Sequence, residues 1–387
     1  MCSVAHSIHA LAVQKWILGN RLVMITVIVP IFNLTPLRKR NLEFVYDRLA
    51  DANLDVILGI QDQNPDLDYY SRFSNAKIVA CPSPVPNAFS KGKIFNECVN
   101  YVTTRFFLFL DADIYIPFKN MPLKEDDEVV KPFSQCVYLD EGKTSEFLST
   151  KRADVSDDKY KRISCLGGGA LIMKTDLAVK EPLFDERFLG WGWEDIDFGD
   201  LLRSKFKIRT IDNFAVHLYH EPSTPNEDNY EYYKNKPKPK SKIVHFFHFQ
   251  VPCESFFSYV NNKESGVLLM NCFDVDGLED DSVKCSLMDS NDVRLERMIS
   301  LAEPYVEDNG LIIYLDPSLK IESGFYGKIP QNPENKIISE DSGKIVGVAL
   351  NKSKFKGFSE SIRLDGSHWE KIASQLREQG SLTEFKI

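Results

Sequence analysis

Two aspartates separated by one residue, Asp111 and Asp113, follow an unbroken apolar run in RFFLFLDADIYIP (105–117). In an extended chain side chains alternate, so both carboxylates would project to one side if the strand continued through them. Paired carboxylate oxygens suit a hard divalent cation, Mn2+ or Mg2+, that bridges to a diphosphate. Taken alone the pair also fits a solvated acidic turn, but the apolar run before it is not what an exposed loop shows. His217 and His220 in HLYH could reach one metal if the backbone turns between them; otherwise one is buried and one lies at the surface. His220, followed by Glu221 and Pro222, is the stronger ligand candidate. The third group is GWGWEDIDFG (190–199), with Glu194, Asp195 and Asp197 directly behind Trp191 and Trp193. Acids in a first helical turn stabilise it by roughly 0.3–1 kcal/mol each. Two glycines carry an entropic cost and two indoles want burial, which is a poor way merely to begin a helix. Flat aromatics beside a carboxylate suit the face of a sugar.

The elements that must position these groups alternate in type. ITVIV (25–29), closed by Pro30, reads as a strand buried on both faces, and LRKRNLEFVYDRLADA (37–52) as a helix. LDVILGIQD (54–62) and AKIVACP (76–82) read as strands, SKGKIFNECVNYVTT (90–104) as a helix, and 105–117 as a central strand. Residues 119–163 read as loops apart from SQCVYLDE, and GGGALIMKTD (167–176) pairs a glycine turn with a strand. EDIDFGDLLRSKF (194–206) is an amphipathic helix, and IRTIDNFAVHLYHEP (208–222) closes the region. NEDNYEYYKNKPKPKSK (226–242) is polar and tyrosine-rich, carries a KPKPK stretch that favours extended, polyproline-like geometry over helix, and marks a domain boundary.

The expected organisation is an extension at 1–23, read as an appended helix, a domain at 24–240, and a smaller α/β domain at 241–387. In the last, GVLLMNCF, GLIIYLD and KIVGVAL read as strands, DVRLERMISLAEPYV (292–306) and SHWEKIASQLREQG (367–380) as helices. HFFHFQVPCESFF (245–257) reads as packing on the first domain or as an oligomer contact. No internal repeat is visible.

Among the 387 residues, 43% hydrophobic and 27% charged place the chain with globular proteins. A net charge of −9 argues against nucleic acid as a partner, since binding its backbone needs a clustered cationic surface. Eight cysteines without a CxxC pair disfavour a zinc knuckle or disulfide framework and fit a reducing cytoplasm. His6, His9, Lys15 and Arg21 interrupt every early apolar run short of the ~20 residues of a transmembrane span, which leaves peripheral membrane contact at the inner face open.

In order along the chain, VIVPIFN, FLFLDAD, GGGALIMKTD, FDERFLGWGWEDIDFGDLL and HLYHEP resemble the nucleotide-sugar glycosyltransferases of the GT-A fold. More narrowly they resemble the bacterial chondroitin and hyaluronan polymerase modules and the C-terminal region of β-1,4-galactosyltransferases, over about residues 24–225. The resemblance implies a Rossmann-like mixed sheet and a UDP-sugar donor. It puts Pro30, Phe32 and Asn33 in the loop that holds the base, and Asp62 on uracil or ribose. Lys91, Asn96 and the glycine turn at Gly168 would line the nucleotide-sugar site, with Asp111 facing ribose or the metal hydration shell. Asp113, His220 and His217 would ligate Mn2+ or Mg2+. Asp195 falls at the family's catalytic base, kept ionised by the helix N-terminus; Glu194, with Trp191 and Trp193, falls at the acceptor site. Inverting, metal-dependent transfer to a saccharide or glycolipid in surface or capsular polysaccharide synthesis follows.

This chain departs from the family in having Gly192 then Trp193 before the acids, and in showing one catalytic module where the polymerases carry two. Two alternatives stay open: retaining transfer to a polypeptide, since a related family carries a similar Trp-Gly-Glu segment, and a non-catalytic sugar- or nucleotide-binding module.

Overall fold

The computed structural model describes residues 16–18, 21–23, 25–62, 64–83, 85, 88–117, 122–151, 161–162, 166–180 and 182–247. In the C-terminal part it describes 267–271, 283–285, 299, 301–315, 325–329, 335–339, 345–351, 368–378 and 382–386. The chain divides into two compact units, one of 1–199 with 208–236 and one of 200–207 with 237–387.

The first unit begins with a hairpin, β1 (Trp16–Leu18) and β2 (Arg21–Val23), so this part of the 1–23 segment is strand where a helix was expected. Then come β3 (Ile25–Ile31), α1 (Pro36–Asp51), β4 (Asp55–Ile60), α2 (Leu67–Tyr70), β5 (Ala76–Ala80), α3 (Lys91–Cys98), β6 (Phe106–Leu110) and β7 (Ile114–Tyr115). They are followed by β8 (Val129–Lys131), β9 (Gln135–Tyr138), α4 (Glu141–Thr150), β10 (Lys161–Arg162), β11 (Ala170–Lys174) and α5 (Thr175–Ala178). Helix α6 (Glu194–Lys205), whose residues from Asp200 on are counted with the second unit, β12 (Ile208–Thr210), β13 (Phe214–His217) and α7 (Glu227–Asn235) complete this region. One of these corrects the sequence reading, α4 in a stretch read as loop, and another, α7, fills the polar stretch ahead of KPKPK, which the sequence reading leaves without an element. In both, an Asx residue caps the start, Asp140 accepting from the Lys143 amide and Asn226 from that of Asp228.

The main sheet, among the described residues, has seven strands in the order β12-β8-β11-β6-β3-β4-β5. Strands β5, β4, β3 and β6 run parallel, and β11 is inserted antiparallel between β6 and β8, which makes the sheet mixed. Every residue of β3 is buried, as a strand covered on both faces requires. The strand runs through Pro30, which sits opposite Gly59 of β4; its missing N–H is tolerated because the β6 ladder ends at Ile28 and Phe109. A smaller sheet of order β10-β9-β13-β7 lies at the end of the first.

On one face α1 buries Leu42, Val45, Tyr46 and Leu49, at spacings that keep one helical stripe inward, each contributing about 1.5–3 kcal/mol by burial. Aromatic packing ties α3 and α6 to β6: Phe95 lies 5.0 Å from Phe109, 5.2 Å from Phe198 and 5.8 Å from Phe184, and Phe184 stacks on Phe198 at 4.3 Å. This cluster fixes the N-termini of both helices, and those N-termini carry Lys91 and Asp195.

The second unit contains β14 (Ser241–Phe247), β15 (Val267–Asn271), β16 (Val283–Cys285), β17 (Val306–Leu315), α8 (Phe325–Lys328), β18 (Asn335–Ser339), β19 (Ile345–Asn351), α9 (His368–Glu378) and β20 (Leu382–Lys386). Its sheet order is β16-β15-β14-β17-β19-β18-β20. The core gathers Val244, Leu268, Ile312, Tyr314, Leu350, Trp369, Ile372 and Leu376. The helix expected at 292–306 falls largely outside the described residues, as do residues 248–257 of the HFFHFQVPCESFF stretch. Among the described residues, no helix is long and apolar enough to cross a membrane.

Candidate functional site

The strand expected to carry both aspartates stops before them. β6 ends at Leu110, the Asp111 amide donates to the Gly169 carbonyl at 2.8 Å, and the Ile114 amide donates to the Asp111 carbonyl at 3.1 Å, closing a turn. The two carboxylates therefore meet different partners. Asp111 takes the Lys91 ammonium on both oxygens, at 3.0 and 3.1 Å, and the same Nζ lies 3.0 Å from Asp195 Oδ1. Lys91 is buried, and burial alone would lower its pKa; Asp111, Asp195 and Glu194 outweigh that and hold it well above its ordinary value.

Helix α6 presents Asp195 to this group. Contrary to the expectation that a helix N-terminus keeps it ionised, burial pushes the Asp195 carboxyl up to about 7, against the opposing pull of Lys91 and with Glu194 and Asp111 adding to the rise. Glu194 is 4% exposed, its Oε2 is buried without a hydrogen-bond partner, and burial raises its pKa as well. Asp197 faces away from these acids: with Asp185 it holds Lys236, at 2.8 Å each, which is a structural clasp.

Close approach to a glycine sets the position of Asp195. A Cβ on Gly167 would lie 2.5 Å from the Asp195 carbonyl oxygen, so only hydrogen fits between the glycine turn and the start of α6. Gly167→Ala is expected to displace Asp195 and lower kcat about tenfold or more, with donor KM little changed. Steady-state kinetics checks this, and a wild-type kcat would show that the helix start yields without consequence. Gly168, next in the turn, is buried and accepts from the Ala170 amide at 2.9 Å.

The GWGW turn is held in unusual backbone. Gly190, Gly192 and Trp193 have φ of 76°, 112° and 71°. Two asparagines of the α7 region secure it: Asn229 donates to the Leu189 and Gly192 carbonyls at 3.1 and 2.9 Å and accepts from the Leu189 amide, while Asn226 donates to the Leu189 carbonyl at 2.7 Å. Trp193 stacks on Tyr233 with centroids 5.2 Å apart, whereas Trp191 is 52% exposed. The two tryptophans therefore play different parts, one anchoring the turn and one facing outward.

Asp113 meets the histidines. Its Oδ2 lies 3.1 Å from His220 Nε2 and its Oδ1 3.9 Å from His217 Nε2, and one ligand atom from each residue falls within 4.8 Å of the others. One carboxylate and two imidazoles form a donor set suited to a divalent transition ion such as Mn2+. Burial acts to raise the Asp113 pKa, but His217, His220 and Arg38 outweigh it and hold the carboxyl below its usual range; the hydrogen bond to Asp113 raises that of His220. His220 Nδ1 is 2.8 Å from the Glu221 carbonyl, which as a donor leaves Nε2 as the ligand atom. His217 is stacked on Tyr138 at 4.4 Å.

Residues missed in the sequence hold this segment. Buried Asn41 donates to the Tyr219 carbonyl at 3.0 Å, buried Thr144 accepts from the Tyr219 amide at 2.8 Å, and Thr35 donates to Glu221 at 2.9 Å. Arg38, in the first turn of α1, donates to Ser223 at 3.1 Å and stands 3.5 Å from His220, bringing a positive charge beside the triad. None carried a motif; each is an ordinary polar residue made useful by a contact distant in sequence.

Among the residues expected at the nucleotide, the Asn33 amide donates to Asp62 Oδ1 at 2.7 Å, Asn33 has φ of 46°, and the Tyr70 hydroxyl donates to Asp62 Oδ2 at 3.3 Å. Phe32 stacks on Phe89 at 5.4 Å, forming an aromatic edge beside that turn. Pro30, expected in the loop, is buried within β3 instead. Asn96 points elsewhere: its amide bonds Phe184 and Glu186, bracing the segment before the GWGW turn.

No protein-family model and no curated protein sequence matches the chain. Among solved structures it is similar to glucosyl-3-phosphoglycerate synthase from Mycobacterium tuberculosis in complex with Mn2+, UDP and phosphoglyceric acid, at 16% identity over 52% of this chain and 72% of that chain, TM-score 0.32. It is also similar to a mannosyltransferase from Pyrobaculum calidifontis in complex with GDP-Man and Mn2+, at 14% identity over 59% of this chain and 66% of that chain, TM-score 0.34.

Proposed function

We propose that the first unit is an inverting, metal-dependent glycosyltransferase that moves a sugar from a UDP-sugar to a saccharide or glycolipid acceptor in surface or capsular polysaccharide synthesis. One observation carries the reading: Lys91 stands 3.0 Å from both Asp111 and Asp195, so the acid at the start of α6 is joined to the same DxD segment whose second aspartate meets two histidines. A base joined through Lys91 to the turn that carries the cation site matches what transfer from a nucleotide-sugar requires.

Asp62, held by the Asn33 amide, receives the base or ribose, with Phe32 beside it. Lys91 and Arg38 face the diphosphate. A divalent ion on Asp113, His217 and His220 would supply charge neutralisation for the departing diphosphate. Trp191 offers its exposed face to the acceptor ring, and the unpartnered Glu194 Oε2 accepts from an acceptor hydroxyl. Asp195 takes the proton of the attacking hydroxyl as its oxygen bonds to the anomeric carbon and the bond to the diphosphate breaks. The spacing of the eight cysteines favours the reducing cytoplasm, at the inner face of a membrane, as the place of action.

Proton NMR of the product formed with Mn2+ tests the reading. An α-linked UDP-sugar is expected to give a β-linked product. An α-linked product would replace inversion by the retaining reading. UDP binding without turnover of any common UDP-sugar would favour the non-catalytic binding module.

A further inference from the structure

The main sheets of the two units follow one plan. From the parallel edge, the first reads β5-β4-β3-β6-β11-β8-β12 and the second β16-β15-β14-β17-β19-β18-β20. Directions agree at every junction: parallel through β6 and through β17, antiparallel on both sides of β11 and of β19, then parallel at β8 with β12 and at β18 with β20.

Registers agree as well. One rung of the first sheet passes through Lys77, Ile57, Ile28, Phe109 and Leu171. The matching rung of the second passes through Lys284, Met270, Phe246, Tyr314 and Val348. A 3-2-1-4 parallel half is common to many α/β folds. An antiparallel strand inserted at the same place, and a helix before the last strand in both, are additional agreements. Helix α6 opens at Glu194 ahead of Ile208, and α9 opens at His368 equally far ahead of Leu382; the fully buried Leu202 and Leu376 occupy the same place in each.

The chemistry does not follow the plan. Counting from the last strand puts Trp369 where the first unit has Asp195, and Trp369 is 9% exposed and stacked on Tyr314 at 5.5 Å. The glycine turn Gly167–Gly169 is matched in sequence by Lys344, Ile345 and Val346, with β19 already running from Ile345. After β17 the sequence keeps an acid at Asp316 but has Ser318 where the first unit has Asp113. Among the described residues, the metal-ligand cluster of Asp113, His217 and His220 has no counterpart in the second unit.

We infer that the second unit is a structural duplicate of the first in which the base position holds a packing tryptophan and the Asp113 position a serine, so the chain carries two sheets of one plan and a single transfer centre. This rests on the reading of the first unit as a transferase.

A Mn2+ titration of the full chain with UDP present, followed by the electron paramagnetic resonance signal of the free ion, tests it. One ion per chain is expected, and none at that affinity in Asp113→Ala. Two ions in the wild type, or one surviving in Asp113→Ala, would overturn the inference. No ion in either protein would sink the proposed function of the first unit while leaving the second as silent as inferred. In parallel, Asp195→Asn is expected to stop consumption of every UDP-sugar that the wild type uses. A donor still consumed by Asp195→Asn but not by the double variant with Asp316→Ala would reveal a second working centre.

Discussion

Asp195→Asn is expected to cripple sugar transfer and stabilise the protein at the same time. Removing a positioned general base is expected to lower kcat about 10²–10⁴-fold while leaving UDP affinity within about twofold. The stability gain follows from burial. A carboxyl pushed up to about 7 in the folded protein, against about 3.9 unfolded, costs the fold its full amount above pH 7. That cost shrinks as pH falls between the two values and is gone below about 4. Asparagine carries no such cost, so the variant is expected to gain on the order of 1–3 kcal/mol at pH 8, less near pH 5, reduced by what Lys91 loses with its partner. The same pKa sets the rate profile: wild-type kcat/KM rises with pH through an inflection near 7, because the base acts only when deprotonated. Thermal unfolding at the two pH values and a pH–rate series check both parts. An active variant would remove Asp195 as base, and one destabilised at pH 8 would show that the ion pair with Lys91 outweighs burial.

Asp113→Ala removes the only carboxylate of the triad and leaves two imidazoles beside Arg38. Mn2+ affinity is expected to fall by more than the about 10–100-fold typical of losing a partner behind a ligand, and donor binding that depends on Mn2+ falls with it. Asp113 is largely buried and held below its usual range by His217, His220 and Arg38, so without metal the variant is also expected to melt a few degrees lower. Calorimetry of UDP binding with and without Mn2+ measures the loss. Unchanged metal-dependent binding would refute the ligand role. His220→Ala should fail in the same way.

Much of the fold was legible because buried parallel strands announce themselves as continuous apolar runs: β3, β4 and β6 fall where ITVIV, LDVILGIQD and the run before Asp111 predict them. The acids of α6 and the HLYH pair were legible because side chains that bind cations and move protons come from a short list. What was not legible depends on contacts between distant residues. Nothing in FLFLDADIYIP says that the strand stops at Leu110 and sends the two aspartates to different partners; the Gly169 carbonyl decides that. Nothing in SKGKIF says that Lys91 is buried between two acids. Helix α7 carries no apolar stripe that would announce it, being polar and tyrosine-rich ahead of KPKPK, yet Asn226 caps it and Asn229 is buried against the GWGW turn. The repeated sheet left no repeat in the sequence, since register and direction constrain backbone and burial while leaving identity free, as Asp195 against Trp369 shows.

The hold of Asn226 and Asn229 on the Leu189 and Gly192 carbonyls has a practical side. The family resemblance, which stops at about residue 225, invites a protein engineer to cut the chain just after HLYHEP to obtain a minimal fragment. Such a cut would discard both asparagines, the tyrosines under Trp193 and the Lys236 that joins Asp185 to Asp197. The shortest fragment that keeps the tryptophan turn in its strained shape must reach past Lys236, and a shorter one would keep every motif yet lose the geometry that gives them meaning.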